Sequence, residues 1–382
     1  VALLARSVVR ALAAEAEIDV VGCTTAEPFP DITRILTEHI DAGHVAGFDW
    51  FDHHRARVAA DPRLLQGTVR GIVACGLPYW TVDPGKPDDG VTRGTISRYA
   101  RGLDYHVVLK KRMKRLRELI ADHLGREVDA RFLVDTAMIS DRTVAARAGI
   151  GWFGKNSCLL VPGRGSWVLL GDLLLDVEVE PDVPIAQDCG RCTICIDRCP
   201  TGAIVSPYTV STPLCLSYQT IEQRSAIPRD LRAAMGDWIF GCDICQEVCP
   251  YTRAARPVTD PDVQPRALDN AYPSLPWLLT MREEEFREVY RGTPVIRAKR
   301  PGLARNAAIA LGNIGHERDV PVLVTALREH DAAIVRGAAA WALPRLAGPA
   351  AARPHLDHAL RTDPDPTVRA EAEAALQGCP TS

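Results

Sequence analysis

Eight of the twelve cysteines fall between residues 189 and 249, in two runs with one cysteine between them, and they constrain this chain more than any other feature. The first run is Cys189-x2-Cys192-x2-Cys195-x3-Cys199-Pro200. Cys215 follows, then Cys242-x2-Cys245-x3-Cys249-Pro250. The first run has the spacing in which three cysteines bind one [4Fe-4S] cluster and the fourth crosses to a second. By that rule Cys189, Cys192, Cys195 and Cys249 hold one cluster. Cys199, Cys215, Cys242 and Cys245 hold the other, with a long insertion after Cys215. Zinc also takes Cys-x2-Cys pairs, but two zinc ions do not need a triplet closed by Cys-Pro. A disulfide framework belongs to short secreted chains, and this one has 382 residues. Two cubanes this close form an electron wire, so the chain reads as a redox enzyme or part of one.

The other cysteines, Cys23, Cys75, Cys158 and Cys379, sit in apolar or terminal contexts and read as buried or incidental thiols. Hydrophobic residues make up 47% and charged residues 24%, as in an ordinary globular protein. No apolar run approaches the roughly 18–20 residues of a membrane span. The opening residues are charged too soon for an export signal and read as an amphipathic helix. They lack an initiator Met, which points to trimming or processing. Thiolate ligands without an export signal predict a reducing cytoplasm. The net charge of −3 does not announce a nucleic-acid binder. Yet seven cations and a single carboxylate, Asp104, lie between Arg101 and Arg117, which predicts a local basic face.

The pattern along the chain predicts an α+β protein. Residues 1–180 alternate strand signals (17–22, 71–77, 131–134) with helical ones (32–42, and a long helix capped by Asp104). In that long helix Val108, Met113, Leu116, Leu119 and Ile120 share one face. Residues 158–161 and 167–170 flank Pro162-Gly-Arg-Gly165, which predicts a hairpin. Residues 181–255 form an inserted ferredoxin-like double-cluster module. Residues 256–297 form a Pro-rich connector and helix, of which the connector from Arg256 to Pro276 is expected to wrap along a surface. From 298 to 382 the chain repeats: Arg305, Arg336 and Arg369 recur in similar Ala-rich contexts, and another helix spans 320–328. That is the pattern of a small HEAT-like array of helical pairs, or else of a plain helical cap on the redox core.

The segment before the cysteines narrows the function. Phe132-Leu-Val-Asp135-Thr-Ala-Met, followed by Arg142 through Gly149-Ile-Gly-Trp-Phe-Gly-Lys155-Asn156, resembles the central motif of epoxyqueuosine reductases. Thr95-Ile-Ser-Arg-Tyr99 through His106 resembles that family too, as do Cys199-Pro-Thr-Gly-Ala-Ile204, Cys215-Leu-Ser-Tyr218 and Gly241-Cys-Asp-Ile-Cys. The likeness covers most of the chain. It implies an α/β core binding base-off cobalamin beside two [4Fe-4S] clusters, as in reductive dehalogenases. It also implies reduction of epoxyqueuosine at the wobble position of a tRNA anticodon to queuosine, the last step of queuosine biosynthesis. In that chemistry cob(I)alamin acts as nucleophile or reductant. The clusters relay electrons to it from a ferredoxin- or flavodoxin-type donor. The family points to a monomer.

The resemblance carries the proton donor onto Asp135, where burial against a corrin face would keep a carboxyl protonated. The plain alternative is a helix cap or turn residue. It places Ser97, Arg98, Tyr99, Leu159, Leu170, Ser217 and Asp243 around the corrin, although core packing would equally account for Leu159, Leu170 and Tyr99. Ser97 stands where some relatives have a cysteine, so no thiolate ligation of cobalt is expected, and Met138 stands where many have proline. For tRNA, Arg224, the cations of 101–117 and the arginine series 305, 336 and 369 are candidates. The repeated arginines would otherwise bridge helices. Two rivals remain: a reductive dehalogenase, which normally carries an export signal, and a non-catalytic electron-transfer scaffold, which leaves the Asp135 motif without a role.

Overall fold

The computed structural model describes residues 3–377, so Cys379 lies outside the described residues. Its contacts gather the chain into two compact units. One comprises Val1–Val82, Leu103–Pro213 and Ile244–Gln264; the other comprises Asp83–Gly102, Leu214–Asp243 and Pro265–Ser382. The grouping is not serial: 83–102 and 214–243 belong with the C-terminal unit. The opening helix covers Arg6–Glu15, and Leu4 before it bridges Val179.

The first unit is built on a four-stranded sheet of β1 (Val20–Thr25), β2 (Gly71–Pro78), β3 (Ala130–Val134) and β4 (Val168–Leu175). Their order is β1-β2-β4-β3, with every pair antiparallel. Helix α1 (Tyr105–Leu124) packs on one face and helix α2 (Asp141–Arg147) on the other. A strand covered on both faces has no solvent side, which is why β4 is apolar nearly throughout. Along it Leu170 and Leu174 join the α2-side core, while Gly171 faces Met113 of α1. Asp104 caps α1 by accepting from the His106 backbone N–H at 2.9 Å, and Gly125 ends it at φ +64°. Val108, Met113, Leu116, Leu119 and Ile120 are all buried, each contributing about 1.5–3 kcal/mol of apolar transfer.

The hairpin expected at 158–170 does not form. Leu159–Leu160 pairs with Trp152–Phe153, whereas β4 pairs with β2 and β3. Only a local Val161–Gly165 bridge closes the turn. Among the described residues the Val168–Leu170 end of β4 pairs with β2 alone, and Leu159–Leu160 takes Trp152–Phe153 as its partner instead.

The second unit is mostly helical. A short parallel pair, Thr95–Ile96 with Trp238–Phe240, leads into the array α3 (Lys299–Ile314), α4 (Val320–Glu329), α5 (Ala333–Ala347), α6 (Pro349–Thr362) and α7 (Pro366–Gln377). Alanines let α3 and α5 approach closely: a Cβ on Gly312 would meet that of Ala342 at 2.8 Å. The 256–297 segment contains helix as well as Pro-rich connector. Its later part forms helices Leu275–Thr280 and Glu283–Tyr290, whose Leu275, Leu278, Phe286 and Tyr290 lie in this unit's core rather than along a surface.

The repeated arginines are structural. Arg305 is buried and donates to the carbonyls of Gln219 (2.8 Å), Gln223 (2.8 Å) and Ser225. Burial pushes its guanidinium down to about 9. Arg336 forks onto the Asp363 carboxylate at 2.8 and 3.0 Å, and Arg369 donates to the Asp363 carbonyl at 2.7 Å. Arg305 and Arg336 therefore face the interior and are withdrawn as phosphate contacts. Replacing Arg305 by Met would strip three carbonyls of their donor and is expected to cost about 3–5 kcal/mol. Lys114→Met on the exposed face of α1 should stay within about 0.5 kcal/mol. Denaturant midpoints of the two variants would check the contrast.

Candidate functional site

Within the first unit Cys189, Cys192, Cys195 and Cys249 are gathered closely enough for the neighbouring thiols to make Cys189 and Cys195 harder to ionise. Burial is the larger cause and lifts Cys195 to about 11. Among the described residues no trio of His, Cys, Asp or Glu surrounds one point tightly enough for a single metal ion. A cubane, whose four thiolates each bind a different iron, asks for more widely spread sulfurs, and the donor set fits it. Cys199 and Cys245 belong to the same unit, while Cys215 and Cys242 belong to the second. The Cys199 sulfur accepts from the Ala203 N–H at 3.2 Å.

The Gly-Trp-Phe-Gly-Lys-Asn segment fastens these cysteine loops. Lys155 Nζ donates to the Gly190 carbonyl at 2.7 Å and the Cys192 carbonyl at 3.0 Å. Asn156 Nδ2 reaches the Cys245 carbonyl at 3.4 Å, and its Oδ1 accepts from the Cys158 N–H at 3.2 Å. Sequence reasoning read this segment only as part of the family motif. A lysine in a Gly-rich turn, just upstream of a cysteine run, was the signal for the clamp.

Asp135 stands where β3 ends. Its φ of +46° is left-handed, a conformation that strains a residue with a Cβ. The strain turns its side chain out of the strand path, leaving it 48% exposed. It does not cap α2, whose N-cap is Ser140. The Tyr105 hydroxyl donates to Asp135 Oδ2 at 2.8 Å, and His106 Nε2 lies 3.6 Å from the same oxygen. The other ring nitrogen of His106 meets Asp104 Oδ1 at 2.9 Å. Burial opposes a charge on His106, but the Asp104 and Asp135 carboxylates outweigh it and raise the imidazole to about 9. Arg55 donates to the Ala137 carbonyl at 2.7 Å and stacks 4.3 Å from the Trp50 ring, tying the turn after Asp135 to an exposed aromatic cluster. Tyr105 and His106 were legible as residues of a motif, but nothing in the sequence joined them to a carboxylate 30 positions away.

Within the second unit Asp243 is buried and accepts from the Ser97 hydroxyl and, at 2.8 Å, from the Arg98 N–H. Ser97 is thereby committed to a carboxylate. Arg98 reaches the Asp83 carboxylate at 2.7 Å, and the Tyr99 ring lies 6.2 Å from that of Phe240. Ser217 sits half-buried on helix Leu216–Ile221. Arg224, 46% exposed, donates to the carbonyls of Ile221 and Ala298 at 3.1 and 3.3 Å. Leu159 and Leu170 lie in the first unit and bury their side chains in its core. Pairing of β3 with β4 stops at Val134 opposite Gly171. The Val168–Leu170 edge of β4 therefore has no strand partner on that side among the described residues.

Two expectations narrow. Of the cations in 101–117, Arg101 is buried and bonds the Ile96 carbonyl, Arg112 pairs with Asp260 and Asp262, and Arg115 and Arg117 pair with Glu15 and Glu127. Exposed Lys110, Lys111 and Lys114 are what remain of the basic face. Cys23 and Cys75 are buried, and burial pushes Cys23 up to about 12, as expected of inert thiols. Asp172, on β4, had gone unremarked. It is fully buried, its two oxygens have no hydrogen-bond partner among the described residues, and burial holds it strongly toward the neutral acid.

Comparison with known proteins bears on all of this. A 4Fe-4S double cluster binding domain model matches residues 188–252. A model described as Epoxyqueuosine reductase QueG, DUF1730 matches 60–136, and HEAT repeats match 294–377. The epoxyqueuosine reductase of Xanthomonas campestris pv. campestris is 36% identical over 339 residues, spanning 88% of this chain and 94% of that protein. The one from Escherichia coli is 39% identical over 280 residues, 73% of each. The crystal structure of an epoxyqueuosine reductase with a tRNA-Tyr epoxyqueuosine-modified tRNA stem loop is similar at a TM-score of 0.90 and 31% identity, covering 97% of this chain and 98% of that one. That from Streptococcus thermophilus reaches 0.87 at 30% identity, with 97% and 98% covered.

Two substitutions probe the geometry. Lys155→Met leaves the Gly190 and Cys192 carbonyls without their donor, so the clusters should bleach several-fold faster in air, followed by visible absorbance and iron content. Gly241 has a φ of +71°, and a Cβ there would lie 2.5 Å from that of Ser97. Gly241→Ala should cost about 2–4 kcal/mol in a denaturant melt.

Proposed function

The chain belongs to the epoxyqueuosine reductase family, and on that premise we propose that it reduces epoxyqueuosine in the wobble position of a tRNA anticodon to queuosine. The observation that carries this reading is that the likeness spans almost the whole chain. A match confined to the cluster module would be shared by many unrelated redox enzymes. A non-catalytic electron-transfer scaffold would have no use for a strained, half-exposed carboxylate at the end of β3.

Cys189, Cys192, Cys195 and Cys249 hold one [4Fe-4S] cluster and Cys199, Cys215, Cys242 and Cys245 the other. Bound cobalamin, fed electrons through these clusters from a ferredoxin- or flavodoxin-type protein, supplies the reducing chemistry. The serial division remains the functional one: 1–180 for cobalamin and catalysis, 181–255 for the clusters, 256–297 as connector and 298–382 as the HEAT-like array. Within the first unit, the open Val168–Leu170 edge of β4 supports backbone amides for the corrin at Leu170, with Leu159 nearby in sequence. The family likeness carries Ser97, Arg98, Tyr99, Ser217 and Asp243 forward as further corrin contacts, and within the second unit Ser97 and Arg98 gather on Asp243. The Ser97 hydroxyl, which donates to Asp243, is not the soft donor that a thiolate is, in keeping with a cobalt that takes no protein thiolate.

Asp135 is the residue that hands a proton to the oxygen as its bond to carbon breaks. Its turned-out side chain meets incoming substrate, and the Tyr105 hydroxyl fixes its rotamer. Basic side chains, Arg224 and the exposed lysines of α1 among them, track tRNA phosphates while the wobble base enters the pocket. The family likeness points to a cytoplasmic monomer acting on tRNA, and no helix among the described residues is long and apolar enough to cross a membrane.

The test is anaerobic reconstitution with iron, sulfide and cobalamin, then incubation with a chemical or protein reductant and tRNA bearing epoxyqueuosine. Nucleoside mass spectrometry should report loss of one oxygen. Asp135→Asn should lower the single-turnover rate by about 100-fold or more while leaving cluster and cobalamin absorbance intact. No conversion by enzyme carrying clusters and cobalamin would overturn the proposed activity.

A further inference from the structure

His106 has no role in the reading so far, yet it is the most constrained titratable group beside Asp135. Its Nδ1 is held by Asp104 at 2.9 Å, and that same carboxylate oxygen caps α1. Its Nε2 is buried, has no partner within hydrogen-bond distance among the described residues, and points at Asp135 Oδ2 across 3.6 Å. That oxygen already accepts from the Tyr105 hydroxyl at 2.8 Å, so in this arrangement it is an acceptor and not a proton source. The charged neighbours of the line are Asp104 on one side and Asp135 on the other, with Arg55 and Asp141 acting on Asp135 from the adjoining helices.

We infer that His106 stores the proton that Asp135 delivers, so that the acid of the reaction is an Asp104–His106–Asp135 line and not Asp135 alone. This rests on the proposed reductase activity. Asp104 holds the ring with Nδ1–H toward it, which leaves Nε2–H aimed at Asp135. When substrate covers Asp135 and displaces water from it, the anion is destabilised and the Nε2–H proton crosses to Oδ2. Asp135 then passes that proton to the oxygen as the carbon–oxygen bond breaks and its electron pair goes to oxygen. A second proton along the same route completes water as the second carbon–oxygen bond breaks and the carbon–carbon double bond forms, and the two electrons come from the external protein donor. His106 regains each proton from solvent. Asp135 touches the reacting oxygen, whereas His106 acts through it.

An imidazole raised to about 9 keeps such a store filled across neutral pH. The sign follows: proton supply is complete below the folded value and falls as pH rises through it. The test has two arms, both on full-length enzyme carrying clusters and cobalamin. In the first, histidine-labelled protein is titrated by NMR, with His106 assigned by its disappearance in His106→Asn. The expected midpoint lies at least about one unit above the ordinary value of about 6.5, and moves down in both Asp104→Asn and Asp135→Asn. In the second, single-turnover conversion of an epoxyqueuosine stem loop is followed against pH. Wild type should hold its rate up to about pH 8, while His106→Asn should match it within about twofold near pH 5.5 and fall at least about tenfold behind by pH 8. Stem-loop affinity should be unchanged.

A midpoint at the ordinary value would overturn the inference, as would a variant profile parallel to wild type at every pH, which is what a merely structural histidine gives. If wild type converts nothing, the proposed activity fails, and the NMR midpoint and its response to Asp104 and Asp135 decide the histidine assignment on their own.

Discussion

One oxygen of Asp104 holds together the start of a helix and the start of a catalytic line. It accepts from the His106 N–H, ending the run of unsatisfied donors at the head of α1, and it fixes the His106 ring through Nδ1. Everything downstream inherits that placement. The helix axis sets where Met113 and Leu116 bury against the sheet, and its first turn sets where Tyr105 and His106 present their polar ends. A cap is ordinarily worth about 1 kcal/mol, but here it also sets the distance between a cation and the Asp135 carboxylate.

The sheet supplies the other half of that geometry. β3 and β4 pair as far as Val134 and Gly171, and the chain then leaves the sheet in a left-handed turn at Asp135. Ending the ladder there does two things at once. It frees the carboxylate from the strand and opens the edge of β4 beside it, so a proton-handling group and a row of backbone donors adjoin. Non-glycine residues tolerate this backbone only where surrounding structure enforces it, which here means the ladder behind and the Tyr105 hydrogen bond ahead.

Electron supply is secured by ordinary hydrogen bonds. Lys155 and Asn156 hold carbonyls of both cysteine runs within the first unit, so a motif that reads as substrate-related is equally a brace for the cluster loops. In the second unit the helical array spends two of its repeated arginines on interior carbonyls and carboxylates. A charged, periodic residue in a repeat protein is thus as readily a crossbeam as a contact.

Cysteine spacing alone determined that this chain handles electrons, because ligand number and crossing are properties of sequence order. Helix α1 was legible for a similar reason: its cap and apolar stripe are local. So were the repeats, and so was Asp135, through the motif around it. What the tertiary structure decided is every relation that strand pairing creates. A one-dimensional pattern predicted a hairpin at 158–170, but Leu159–Leu160 pairs with Trp152–Phe153 and β4 with β2 and β3, a choice among partners that only the folded chain makes. It could not say that Arg305 points inward, since an Ala-rich helix buried all round looks the same from either side. Nor could it join Tyr105 and His106 to Asp135, because α1 and β3 meet only after the chain has folded, and a proton moves across space rather than along sequence.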